Sequence, residues 1–310
     1  MTNNLDLPGL QPSVRFPLAR VATSTRLVPL TIREGDAYHQ HLGSIELGSD
    51  LPAKRKGLHL SRFGQILQEV SERKFESLQH LADYLAGEII ELQEVSESFA
   101  EVHVPWAIDS TTPISGMKTK KIYQIQSRAV ANSTRKIELG IILPFFIACP
   151  CVQINIEEYI KSQIKPDEKK LYYENKELLS LVPLPSHTQR GFIEVWLDDN
   201  TQQLRPVELI RVIEQCITVS YDLLKRPDEV KVVLDAHNNP KFCEDVTREV
   251  AEAIYRAYYD TLSSDTNLSV KVTTEESIHS FDIVSELKMR FSEIATALDS
   301  STVKEKVQHG

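Results

Sequence analysis

Apolar residues recur along the chain at two periods, and the points where the period changes outline its elements. Residues 26–32 and 41–47 are rich in Leu, Ile and Val and flank Glu34-Gly35-Asp36, so they predict a hairpin of two short strands. Phe63, Ile66, Leu67 and Val70 follow the i, i+3, i+4, i+7 rule of a helix, with Ser61 placed to cap it. Leu78, Leu81, Leu85 and Ile89 mark a second helix behind Ser77. Residues 100–108 and 121–131 alternate in part, which completes the order strand, strand, helix, helix, strand, strand.

The second half repeats that order loosely, as a duplication of structure and not of sequence. Residues 137–148 and 191–198 predict strands, and 152–186 between them predicts an insertion with its own helix around 156–164. A helix starting at Pro206, a favoured first position, is expected to bury Leu209, Val212, Ile213, Cys216, Ile217, Leu223 and Leu224. Another, capped by Asn239 with Pro240 as first residue, is expected to bury Phe242, Val246, Val250, Ala253 and Ile254, and 268–273 predicts a closing strand. The chain therefore divides into an N-terminal arm (1–25), a first module (26–134), a second module (135–299) and a polar tail (300–310) expected to fray. The class is α+β, with antiparallel sheets carrying helices on one face. Sheets covered on one side leave edges and a face bare, so an oligomer is expected.

Composition narrows the function. With 310 residues, 41% apolar and 25% charged, the chain has the profile of a soluble globular protein of two modules. A net charge of -9 argues against general nucleic-acid binding, which needs a basic face to displace counterions. The longest apolar stretch, 139–152, is broken by Pro144 and falls short of the roughly 20 residues a membrane helix needs. The N-terminal segment has no export pattern. Cys149 and Cys151 are too close for an ordinary structural disulfide, so a reducing cytoplasm is the expected setting.

The candidate chemistry begins with Cys149-Pro150-Cys151, at the end of a strand, and His187-Thr188-Gln189-Arg190-Gly191 downstream. Thiolate and imidazole suit a soft divalent metal, whereas either cysteine alone is explained as a small packed residue at a strand end. His279 is explained by a solvated turn, Glu229 by the charged turn Arg226-Pro227-Asp228-Glu229, and Glu244 by a solvated helix face. The run Lys54-Arg55-Lys56-Gly57-Leu58-His59-Leu60-Ser61-Arg62 leads four basic side chains and a histidine into a helix start. Such a start attracts an anion, so the run reads as a phosphate site or as a solvated turn.

In order, Lys56 to Phe63, Cys149-Pro150-Cys151, His187 to Gly191, Leu224 to Glu229, Asn239 to Asp245 and Glu276-Ser277-Ile278-His279 resemble the signature of the GTP cyclohydrolase type IB family, across about 54–282. The resemblance implies a homotetramer of bimodular tunnelling-fold subunits, two ββααββ units per chain, whose sheets join into a barrel. Periodicity by itself also admits a ferredoxin-like arrangement. The implied activity converts GTP and water to 7,8-dihydroneopterin triphosphate and formate, feeding pterin, folate or 7-deazaguanine synthesis. Cys149, His187, Glu229 and His279 would ligate one divalent metal per subunit, zinc, manganese or ferrous iron. Cys151 would act on the substrate, Glu244 would anchor the guanine, and Lys56, His59, Arg62 and Arg190 would hold the triphosphate. The chain departs from the usual family pattern at Leu58 and Leu60, and Phe281 stands where a second histidine is usual. The insertion 152–186 resembles the archaeal branch, whose product is a cyclic phosphate. Another purine- or pterin-handling enzyme of the same fold, and a metal-binding relative without catalysis, are the alternatives.

Overall fold

The computed structural model describes residues 6–308 apart from residue 180, with the backbone alone for 301–308. The first five residues of the expected arm and the last two of the expected tail lie outside the described residues. The chain divides into two compact units that are discontinuous in sequence: 1–106, 124–141 and 196–206 form one, and 107–123, 142–195 and 207–310 the other. The apolar periodicity predicts two contiguous modules meeting near 134 instead.

In the first unit, β1 (Leu18–Glu34) and β2 (Ala37–Leu51) form the expected hairpin, longer than its apolar cores suggested. Gly35 turns it at a φ of +59°, a left-handed conformation that glycine adopts without steric cost. Register slips between Thr25 and Val28, beside Leu27 at a φ of +59°. Helix α1 (Leu60–Glu72) packs on β1 and buries Phe63, Ile66 and Val70; β3 (Lys74–Phe75) then pairs parallel to β1. Helix α2 (Leu78–Gln93) packs on β2 and buries Leu81, Leu85 and Ile89 completely. Each such side chain contributes about 1.5–3 kcal/mol relative to leaving it in water. As expected, the Ser77 hydroxyl accepts from the His80 N–H at 3.0 Å and caps this helix. Strand β4 (Ser98–Thr111) pairs antiparallel with β2.

Ser61 does not cap α1. His59 is the cap residue and makes no side-chain cap bond; the Gln93 amide takes over, accepting from the His59 N–H at 3.1 Å and donating to its carbonyl at 2.9 Å.

Strands β5 (Lys118–Ala131), β6 (Arg135–Ala148) and β7 (Thr188–Asp198) contribute segments to both units. The insertion begins as α3 (Pro150–Gln163), followed by α4 (Lys169–Glu174) and α5 (Lys176–Leu179), and none of the three helices buries a residue. Ile154, Tyr159, Leu171 and Leu178 all stay more than half exposed.

Beyond β7 the structure departs from the periodicity. Helix α6 (Pro206–Glu214) stops well before Leu224, because Thr218 and Val219 form β8 (Thr218–Val219) against Phe146 and Phe145 of β6. A β-branched pair meeting a partner strand overrides a helical spacing. The expected turn at 226–229 is instead the first turn of α7 (Arg226–Asn238), with Pro227 at a tolerated early position. Asn239 ends α7 by donating to the Asp235 carbonyl at 3.1 Å, so it does not cap the next helix. Helix α8 (Cys243–Tyr258) starts later, where the Asp245 carboxylate accepts from the Phe242 N–H at 3.0 Å. Strand β9 (Asn267–Thr274) pairs antiparallel with β10 (Ile283–Arg290), which the sequence reading lacked, and α8 packs on both. Helix α9 (Phe291–Gln308) runs through the segment expected to fray. Strand order in the second unit is β10-β9-β7-β6-β5-β4, with β8 beside β6. The class is α+β as expected, and apart from the two-residue parallel pairing of β3 with β1 the pairings given above are antiparallel.

Candidate functional site

Cys149 sits where β6 gives way to α3. It is the N-cap residue of α3 with Pro150 as the first helical position, and its side chain makes no cap bond, which leaves the thiol for other partners. Its N–H donates to the His187 carbonyl at 3.2 Å, and its carbonyl accepts from the Ser186 hydroxyl at 2.7 Å. The two family blocks around Cys149 and His187 are thereby stitched main chain to main chain. Gly191, in the same block as His187, is required by packing: a Cβ there would stand 2.3 Å from the Phe145 ring.

Cys151 lies in the first turn of α3 and is exposed, whereas Cys149 is half-buried. Desolvation first, and then the adjoining Cys149 thiol, hold the Cys151 thiol above its usual range. The CPC segment is therefore a strand end turning into a helix, and the two cysteines differ in exposure.

His187 is 9% exposed at its side chain, and its Nδ1 lies 2.8 Å from the Gln189 Oε1. Gln189 in turn donates through Nε2 to the Glu276 Oε1 at 2.9 Å, and the Thr274 hydroxyl donates to the same oxygen at 2.8 Å. His279 is near: its ring stands edge-on to His187 with centroids 6.4 Å apart. Phe281, in the place of the usual second histidine, stacks on His279 at 4.9 Å and 12°. Neither Gln189 nor Glu276 carried a role in the sequence reading, although both lie inside blocks it had marked.

Glu229 is not gathered with these groups. It is exposed in the first turn of α7, while the last turn of that helix carries His237, whose Nε2 is 3.2 Å from the Ser186 carbonyl. Eight residues of helix separate the two, about 12 Å along the axis. What the first turn of α7 does hold is Asp228, which is fully buried. It accepts from the Ile114 and Ser115 N–H groups at 2.9 and 2.8 Å, the Ser115 hydroxyl at 2.6 Å and the Lys225 N–H at 3.1 Å. Burial opposes its charge, but these donors prevail and hold its carboxyl well below the usual range. Glu244 is exposed in the first turn of α8.

Among the described residues, no three His, Cys, Asp or Glu side chains are close enough together to hold a metal ion. The donor types do fit one: a thiol freed from capping, an imidazole held through Nδ1 with Nε2 left over, and a second imidazole beside it.

The basic segment belongs to the first unit, and its arginines have structural partners. Arg55 donates to the Gln93 carbonyl and Arg62 to the Leu92 carbonyl, both at the C-terminus of α2, where cations are favoured. The His59 Nδ1 lies 3.6 Å from the Asp6 carboxylate. The Lys56 side chain is exposed; Arg190, in the second unit, is exposed and accepts from the Glu275 N–H through its carbonyl at 2.9 Å, and its side chain makes no hydrogen bond or ion pair among the described residues.

The sequence model of the family described as type I GTP cyclohydrolase folE2 matches residues 5–285. The chain belongs to that family. It is a GTP cyclohydrolase. Among curated relatives, GTP cyclohydrolase MptA 2 of Methanocella arvoryzae is 31% identical over 309 residues, covering 94% of this chain and 98% of its own length. GTP cyclohydrolase MptA of Methanoculleus marisnigri is 26% identical over 320 residues, covering 96% of this chain and all of its own. Among solved structures, a uricase from Arthrobacter globiformis superposes with a TM-score of 0.48 at 8% identity, covering 88% of this chain and 94% of that one. A likeness that distant carries no argument here. Among the described residues, no helix is long and apolar enough to cross a membrane.

Proposed function

We propose that the chain, as a cytoplasmic homotetramer, opens the imidazole ring of GTP, releases C8 as formate and forms 7,8-dihydroneopterin triphosphate. We assign Cys149, His187 and His279 to one divalent metal; the family resemblance adds Glu229, which stands apart from them in this structure. The observation that carries this reading is the stitching of Cys149 to His187, with the His279 ring beside that of His187 and the His187 Nε2 without a partner among the described residues. When bound, a divalent metal supplies a nucleophile at neutral pH and polarises the bond under attack.

The remaining work falls to the chain's own groups. The exposed Cys151 thiol, two residues from Cys149 at the start of α3, is placed to act on the substrate. The exposed Glu244 carboxylate can accept two N–H groups from the guanine edge. In the second unit the exposed Arg190 side chain is a candidate for the triphosphate; in the first, Lys56, His59 and the remaining donors of Arg62 are candidates too. The bare edge of β10, with Val284 exposed, and the uncovered apolar side chains of α3 to α5 support assembly of several copies.

A cyclic-phosphate product is the second reading, favoured by the helical insertion that follows Cys149. Incubating metal-loaded protein with GTP tests both. Formate and a fluorescent pterin after oxidation are expected; diphosphate released in equal amount marks cyclisation. GTP recovered unchanged would overturn the proposal.

A further inference from the structure

Gln189 lies in β7, two residues after His187, and the two side chains meet at 2.8 Å. Only 8% of Gln189 is exposed, an unusual place for an amide unless every polar atom has a partner. Its partners are unequal. On one side stands the Glu276 carboxylate, with its side chain 6% exposed, and on the other the His187 ring.

A carboxylate accepts and never donates, so the amide must turn its NH2 toward Glu276. Its oxygen then faces His187 at 2.8 Å. An oxygen acceptor there requires a donor, which places the ring proton on Nδ1 and leaves the lone pair on Nε2. The opposite tautomer would set two acceptors face to face in a site nearly closed to water. Thr274, 1% exposed, donates to the same Glu276 oxygen and so keeps the carboxylate from rotating away.

We infer that Gln189 is a positioning residue: oriented by Glu276, it fixes the tautomer of His187 and presents the Nε2 lone pair outward, toward a metal. The inference deepens the reading of His187 as a ligand and rests on it for the identity of what Nε2 meets. The reason to build such a relay is energetic. An imidazole free to exchange tautomers and rotate must be ordered when the ligand arrives, whereas one already held meets it ready.

The test uses metal-free, 15N-labelled protein. Long-range nitrogen–proton spectra, with the His187 signals assigned by their loss in His187→Asn, report which ring nitrogen carries the proton. Wild-type protein is expected to show Nδ1–H alone. Glu276→Gln, close in shape, frees the amide to face either way and should yield a mixture of tautomers. Gln189→Leu should do the same, and competition with a chromophoric chelator should show its affinity for zinc or manganese falling about 10–100-fold. Proton on Nε2 in the wild-type protein, or tautomers untouched by both substitutions, would overturn the inference. Wild-type protein that takes up no metal would sink the ligand reading alone, because the tautomer spectra still decide whether Gln189 holds the ring.

Discussion

The basic segment around Arg62 and the thiol–imidazole segment around Cys149 and His187 are both conspicuous by residue type, yet they hold their functional groups in opposite ways. In the first, the charged groups already have duties in the fold: Arg55 and Arg62 satisfy the last carbonyls of α2. In the second, the main chain and the neighbours do the structural work, so the Cys149 thiol caps no helix and meets only the Cys151 thiol, and the His187 Nε2 has no partner among the described residues. A group the fold leaves unused but oriented is a better sign of function than a group of the right charge.

The comparison breaks most sharply at Cys149. If its thiol is a ligand, Cys149→Ala should lose nearly all bound metal, down from about one ion per chain. Elemental analysis after dialysis reads this directly, and undiminished metal would return Cys149 to a merely structural place at the start of α3.

Asp228 sharpens the comparison from the structural side, since it ties the helix carrying Glu229 to residues 114 and 115. Replacing it by Asn puts a donor among three N–H groups and a hydroxyl that all donate to it, so the denaturant midpoint at neutral pH should fall clearly. Its folded pKa is depressed, and the stability it contributes is therefore present above the unfolded value near 4 and lost as pH falls through the lower folded value. The gap between wild type and Asp228→Asn should be constant around neutrality and close on acidification below about pH 4. A gap that widened in acid would contradict the buried-anion account.

The smallest effects separate the two arginines. Arg62→Ala should lower stability by about 1.5 kcal/mol, the low end for a charged donor at a half-exposed site. Because the Arg190 side chain has no partner among the described residues, Arg190→Ala should leave the melting temperature unchanged and raise the KM for GTP while affecting guanosine little. Equal melting temperatures for both would show that the Leu92 contact adds nothing, and the two segments would no longer differ in kind.

Much of the first unit was legible because its apolar spacing and the fold agree: the hairpin, both helices and the Ser77 cap arise from contacts near in sequence. The misreadings cluster after residue 206, where distant partners decide. Thr218 and Val219 extend only because β6 offers a strand, and 226–229 begins a helix only because Asp228 finds donors in the β4–β5 turn. The same division holds at the site. Cys149, Cys151, His187 and His279 stand out by type, but nothing in the spacing of Gln189 and Glu276, 87 residues apart, reveals that they touch.

By itself, then, the sequence determined the family, the α+β class and the donor types available, since ordered blocks, hydrophobic period and side-chain chemistry are local properties. Only the tertiary structure decided which donors remain open. It joined Cys149 to His187, set Gln189 between a carboxylate and an imidazole, and bound Arg62 to a helix end. Hydrogen-bond partnership depends on which groups meet in space at about 3 Å, and the order of residues along a chain does not encode that distance on its face.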